Sequence, residues 1–141
     1  MAIVIERIVD VGPSFVGAEI RHGEHRFLAR VHGVPDELKT ILGQSCIVEM
    51  AFDKVLRSRD LLNYVDSDSV IVADSSSVGA HVIRGRIHNR LMLEDGGELY
   101  DIYLKNGPEF VAVTSEELGR IPEGPGLELI VNGLGFHPTR I

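Results

Sequence analysis

"DELKTILGQSCIVEMAFDKV", residues 36–55, predicts a short helix that leads into a long strand over residues 45–56. Pro35 suits the first turn of this helix, and Gly43 can end it. An apolar stripe at helical spacing marks its inner face: Leu38, Ile41 and Leu42. Because the helix is only about two turns long, we expect it to be stable only when it packs against other elements.

Nearly the same pattern returns at residues 116–135, "EELGRIPEGPGLELIVNGLG". Thr114 and Glu117 have the spacing of a capping box, which predicts the start of the second helix. At an offset of about 79 residues, both halves follow the order strand, hairpin, short helix, strand. We interpret this as an internal duplication. Two periods are too few for a solenoid and favour two small barrels or one pseudo-symmetric barrel.

Runs rich in Val and Ile with alternating polar residues predict the other strands. These are residues 3–11, 15–22, 25–32, 70–73, 81–88, the two arms of a hairpin within 90–104, 109–113 and 126–136. The turn of that hairpin is predicted at Asp95-Gly96-Gly97. Residues 57–69 fit either a loop or a helical turn, and the sequence leaves both interpretations open.

Three strands, a short helix and a further long strand resemble the order of the oligonucleotide/oligosaccharide-binding (OB) barrel. The predicted fold is therefore mainly β with short helices, in two tandem OB-like modules related by the repeat. We place the first module at residues 1–58, a connecting segment with one strand at 59–79, and the second module at 80–141. Residues 70–73 could supply a fifth strand for the first module, whereas the second has no obvious fifth strand.

Charge and composition restrict the class of protein. A net charge of −7 disfavours a dedicated nucleic-acid binder, since phosphate contacts usually require a basic excess. Cys46 is the only cysteine and lies beside apolar residues, so we expect a buried thiol in a reducing compartment. The N-terminus lacks the pattern of a signal peptide, and no apolar run is long enough to span a membrane. These features predict a cytoplasmic protein.

The most basic stretch is "HVIRGRIHNR", residues 81–90. Strand alternation places Arg84, Arg86 and His88 on one face, where they could bind a phosphate, a carboxylate or an acidic segment. The predicted ligand-binding residues are Arg84, Arg86, His88, Arg90 and Tyr103. A second basic group comprises Arg26, Arg30 and His32. The alternative interpretation is a solvated sheet face whose arginines pair with acids on neighbouring strands.

The sequence predicts no catalytic residue, metal site or cofactor. His22 and His25 flank a turn without a Cys pair or a third obvious His nearby, and a metal site there would have to recruit Glu24 or His32. The usual catalytic and phosphate-binding motifs are absent. The leading hypothesis is a non-catalytic binding or assembly module that recognises a protein or an acidic ligand. The alternatives are an OB-type binder of single-stranded nucleic acid and a small enzyme whose site cannot be read from the sequence. Exposed strand edges favour a homodimer.

Overall fold

Eleven strands and two short helices make up the parts of the chain that the computed structural model describes, residues 1–74, 79–104 and 110–139. The strands are β1 (Ala2–Val11), β2 (Phe15–His22), β3 (His25–His32), β4 (Ser45–Ala51), β5 (Lys54–Leu61), β6 (Val70–Ala73), β7 (Ala80–Met92), β8 (Glu98–Tyr103), β9 (Phe110–Thr114), β10 (Gly126–Asn132) and β11 (Gly135–Pro138). The helices are α1 (Pro35–Lys39) and α2 (Ser115–Leu118), with a 3-10 turn at Asp66–Asp68. The prediction of a mainly β fold with short helices is confirmed.

Five strands close into a barrel in the order β1-β2-β3-β11-β4, with β4 returning to β1. All neighbours are antiparallel except β11 and β3, which are parallel. Alternate residues fill the interior, and they include Ile3, Ile5, Val16, Ile20, Val31 and Phe136. Leu38 of α1 is fully buried and Ile41 packs partly against this core, as the apolar stripe predicts, but α1 ends at Lys39 and Leu42 is exposed.

The remaining strands form an open sheet in the order β5-β10-β7-β8-β9. The long strand β7 pairs with β6 along its first half and with β8 along its second half. The buried side chains of this sheet include Ile71, Ile83, Tyr100, Ile102, Val113, Leu127 and Leu129. Helix α2 contacts both β5 and β9, which are the two outer strands of this sheet.

The strands differ from the sequence-based expectation in three places. The long strand predicted at 45–56 is broken into β4, in the barrel, and β5, in the open sheet. Residues 70–73 form β6, but β6 pairs with β7, so it is not the fifth strand of the barrel. That place is taken by β11, because the strand predicted at 126–136 is also broken, at Gly133. The domain boundaries and the internal repeat stay predictions.

The two broken strands run side by side and antiparallel from the barrel into the open sheet, and we call the place where both pass between the sheets the junction. β4 pairs with β11 from Val48↔Pro138 to Ala51↔Gly135, and β5 continues the ladder with β10 from Lys54↔Asn132. At the junction, the Asp53 backbone N–H donates to the Asn132 carbonyl at 3.0 Å. Gly133 adopts φ +70°, and a Cβ there would overlap the Asp53 carboxylate. Position 133 at the junction therefore requires glycine, both for its backbone conformation and for the space that a side chain would need.

No helix in residues 1–74, 79–104 and 110–139 is long and apolar enough to cross a membrane. α1 spans five residues and α2 spans four. A membrane-crossing helix needs about 20 residues.

We predict that Gly133→Ala destabilises the protein by roughly 2–4 kcal/mol, since left-handed strain and overpacking both act at this position. Gly43→Ala is the matched control, because Gly43 has a similar φ of +76° but no described atom within 4 Å of the place that a Cβ would occupy. That substitution should cost only about 1 kcal/mol of strain. Urea unfolding of both variants measures the difference, and equal losses would contradict the steric role of Gly133.

Candidate functional site

Burial alternates along the first half of β7. His81, Ile83 and Gly85 are buried, whereas Arg86 and His88 are exposed. Arg84, Arg86 and His88 therefore lie on the outer face of the open sheet, whereas the register shift at His88 pairs Arg90 with buried Tyr100 on the other face. The structure separates them into three groups with different partners.

Arg84 is held by a carboxylate of the neighbouring strand. Its Nε donates to Glu128 Oε2 at 2.6 Å, and Arg59 Nη2 donates to the same oxygen at 3.1 Å. Glu128 on β10 lies directly between Arg84 on β7 and Arg59 on β5 in the ladder. We call these three residues the arginine triad. Two guanidinium groups share one carboxylate, so the triad carries one net positive charge.

Arg86 is less firmly held. Its Nε lies 3.8 Å from Asp66 Oδ1, and the two side chains are 48% and 56% exposed. At that length the contact is an ion pair and not a hydrogen bond, for which about 2.7–3.2 Å is usual. An exposed ion pair of this kind contributes little to stability. The Arg86 guanidinium therefore has donors to offer a ligand.

Three aromatic rings lie in a row beside Arg86. The His88 and Tyr103 rings stack at 4.0 Å, and Tyr103 and Phe110 follow at 5.6 Å with 19° between their planes. We call these three residues the ring row. They come from β7, β8 and β9, and a register shift between Ile87 and Asn89 occurs at His88. Phe110 ends the row on the edge strand and is 47% exposed.

Arg90 lies apart from the ring row. Its two terminal nitrogens donate to the Pro122 carbonyl at 3.2 and 3.3 Å, and its guanidinium lies 5.4 Å from the centroid of the Tyr100 ring. Burial, followed by the hydrogen bond to Glu98 and its charge, raises the pKa of Tyr100 to about 12. Arg90 thus ties β7 to the segment after α2, and its predicted contact with a ligand stays a prediction.

The second basic group is divided in a similar way. Arg30 contacts Asp53 at 3.3 Å and lies 5.4 Å from the Phe15 ring centroid. His32 stacks on His137 at 4.1 Å with only 5° between the ring planes. Burial, with the nearby charges of His137 and Arg30, lowers the pKa of His32, and Asp53 opposes this. Arg26 is exposed at the start of β3.

Stacked imidazoles cannot both direct a nitrogen at one metal ion, since such ligands must converge on it. In residues 1–74, 79–104 and 110–139, no group of three or more His, Cys, Asp or Glu side chains could hold a metal ion. The parallel stacking of His32 and His137 agrees with this.

Several site residues come from strands that sequence reasoning did not connect with β7. Arg59, Glu128 and Phe110 complete the outer face, and Phe15 and His137 complete the second group. The alternation of Glu128 with buried Leu127 and Leu129 would have placed it on an outer face. The partner strand, however, depends on the sheet order.

Comparisons with protein-family models, with curated proteins and with solved structures gave no match. The chemistry of the outer face is therefore the main guide to function. Fold by itself does not determine function.

His81 fixes the start of β7 against the barrel. It is only 5% exposed, and its Nε2 lies 2.6 Å from the Leu28 carbonyl of β3. Because a carbonyl can only accept, Nε2 carries the proton, and the buried Nδ1 has no hydrogen-bond partner among the described residues. Burial lowers the pKa of His81, and the Leu28 carbonyl opposes this. The neutral ring is therefore the form that the fold accommodates.

We predict that the free energy of unfolding falls as the pH drops below about 6.5, the ordinary histidine value. The unfolded chain then binds a proton that folded His81 rejects, so acid favours unfolding. In His81→Gln, whose amide can still donate to Leu28, this slope should be reduced; His32 acts in the same direction and leaves a remainder. The control His25→Gln, at an exposed position, should keep the slope. Urea titrations between about pH 5 and 8 provide the measurement, and identical slopes in all three proteins would contradict the role of His81.

Proposed function

We propose that the protein is a non-catalytic binding module that holds an acidic segment of a partner protein on the outer face of its open sheet. The observation that carries this proposal is the half-exposed Arg86 beside the ring row. A guanidinium with available donors pairs with carboxylates, and the exposed Phe110 ring can pack against an apolar or aromatic side chain.

The predicted site residues have different parts in this proposal. Arg86, His88 and Tyr103 contact the ligand, and Phe110 joins them. Arg84 supports the surface from the arginine triad, since its Nε is committed to Glu128 at 2.6 Å. Arg90 holds β7 from the other face of the sheet, where it donates to the Pro122 carbonyl.

The overall acidity favours a short segment over a long polyanion. Charges farther away than a Debye length of about 8 Å are largely screened at physiological salt. A carboxylate in contact with Arg86 therefore responds mainly to its immediate neighbours, whereas a long polyanion also meets the surrounding acids of a chain with net charge −7.

Single-stranded nucleic acid is the second candidate ligand, because the ring row offers three aromatic groups next to Arg86. Basic grooves lined with aromatic rings bind such strands by stacking.

The order of the barrel, with a helix between its third and fourth strands along the chain, supports an OB-like relationship. β4–β5 and β10–β11 each pass through the junction and pair with one another along its ladder, and this equivalence supports a duplication. A cytoplasmic location and a homodimer remain parts of the proposal.

A fluorescein-labelled peptide of alternating aspartate and tyrosine tests the leading proposal by fluorescence anisotropy. The variant Arg86→Glu with Tyr103→Ala should bind at least tenfold more weakly, because it removes the cation and the centre of the ring row. Arg7→Glu is the control for charge, since Arg7 is 69% exposed and pairs with Glu19 on the barrel. It should bind as the wild type does.

Equal binding by the wild type and the double variant would reject the site. Replacing the peptide with a labelled oligothymidine at about 50 mM salt tests the second candidate. Tight binding that weakens steeply as salt rises would favour nucleic acid, as counterion release requires.

A further inference from the structure

A groove lies next to the arginine triad, between the sheet and the connection from β5 to β6. Tyr64 of this connection packs directly over Gly126, where a Cβ would collide with the tyrosine side chain. The connection therefore crosses the outer face of the sheet and leaves a cavity of about 430 Å³ at its side. Arg59, Arg84, Asn63, Tyr64, Asp60 and Asp68 contribute to its lining.

The arginine triad presents two fixed guanidinium groups to this groove. Each arginine uses one nitrogen on the same Glu128 oxygen, Arg84 through Nε and Arg59 through Nη2. The Glu128 side chain is only 12% exposed, whereas those of Arg59 and Arg84 are 65% and 41% exposed. The Glu128 carboxylate thus holds the guanidinium groups of Arg59 and Arg84 from the side of the sheet. The other N–H groups of both arginines are available to a ligand. Such pre-organisation reduces the entropic cost of binding.

The two acids in the lining have different roles. Asp60 Oδ1 accepts from Arg120 at 2.5 Å, and its Oδ2 accepts from the Glu123 backbone N–H at 3.1 Å. Asp68 Oδ2 accepts from the Val65 backbone N–H at 3.1 Å. Because a carboxylate accepts several hydrogen bonds, Asp68 favours a ligand that carries hydroxyl donors in addition to its anionic group.

We propose that this groove binds a small phosphomonoester that carries hydroxyl groups, such as a sugar phosphate or a nucleoside monophosphate. The phosphate lies between Arg59 and Arg84, and the hydroxyl groups contact Asn63 and Asp68. One guanidinium can satisfy a planar carboxylate through both its oxygens, whereas two guanidiniums suit a dianion with three free oxygens. The volume is within the range of small-molecule sites, about 300–1,000 Å³.

Calorimetric titration of the full chain at low salt tests this inference with four probes: ribose 5-phosphate, adenosine monophosphate, inorganic phosphate and adenosine. Both phosphomonoesters should bind more tightly than inorganic phosphate, and adenosine should not bind. Tighter binding of the nucleotide than of the sugar phosphate would identify the Tyr64 ring as a contact for the base. Equal binding of the two would identify the sugar phosphate as the recognised unit.

Arg59→Gln should weaken binding of both phosphomonoesters at least tenfold. Arg57→Gln is the matched control, because Arg57 lies on the same strand and contacts Asp74 at 3.5 Å. Asn63→Ala should weaken ribose 5-phosphate but not inorganic phosphate, and this variant leaves the triad intact. Circular dichroism confirms that each variant is folded.

Absence of binding by both phosphomonoesters at about 10 mM would overturn the inference, as would equal affinity in Arg59→Gln and the wild type. Equal affinity for inorganic phosphate and the phosphomonoesters would overturn the assignment of the hydroxyl contacts. The inference is independent of the acidic-peptide proposal, because Arg59 and Asn63 lie outside the ring row. Arg59→Gln should therefore still bind the labelled peptide, and Tyr103→Ala should still bind ribose 5-phosphate.

Discussion

The junction at Asp53 and Gly133, where two paired strands pass from the barrel into the open sheet, is the constraint on which the rest of the structure depends. β4 and β11 pair in the barrel, and β5 and β10 pair in the open sheet. The same antiparallel ladder continues through the junction. The Asp53 N–H bond to Asn132 maintains this continuity, and Gly133 permits the close approach. The barrel and the open sheet are therefore joined by two neighbouring chain segments and share one hydrogen-bonded ladder. The outer face that carries the candidate site is held in place by the same ladder, since β10 lies between β5 and β7.

Local features of the fold were predictable because local chemistry sets them. The Thr114–Glu117 capping box is present as expected, with Thr114 Oγ1 accepting from the Glu117 N–H and Glu117 Oε1 accepting from the Thr114 N–H. The alternation along β3 and β7 is also reproduced in their burial. Strand partners were not predictable in the same way. The Val and Ile residues of β6 would suit either sheet, and only long-range packing assigns this strand to β7.

The candidate site shows the same division between local and long-range information. Alternation placed Arg84, Arg86 and His88 on one face, but it could not distinguish a committed arginine from an available one. Arg84 is bound by Glu128, which lies far away in sequence, whereas the ion pair of Arg86 with Asp66 is 3.8 Å long. The ring row likewise required three strands to meet, so the sequence indicated His88 and Tyr103 as outward residues but not the stacking of their rings or the place of Phe110 at the end of the row. Arg84 has the kind of partner that the alternative interpretation of the sequence describes, an acid on a neighbouring strand.

The position of β11 near the end of the chain has a consequence for the order of folding. The barrel starts at β1, but its gap between β3 and β4 is filled only by residues 135–138. During synthesis, β1 to β4 therefore leave the ribosome long before their last neighbour exists, and the facing edges of β3 and β4 remain unpaired during that time. Contacts between such distant segments form slowly, and open strand edges invite pairing with other chains. For a nascent chain of this protein, the period before β11 emerges is the stage most exposed to misassembly, and a chaperone would be most effective there.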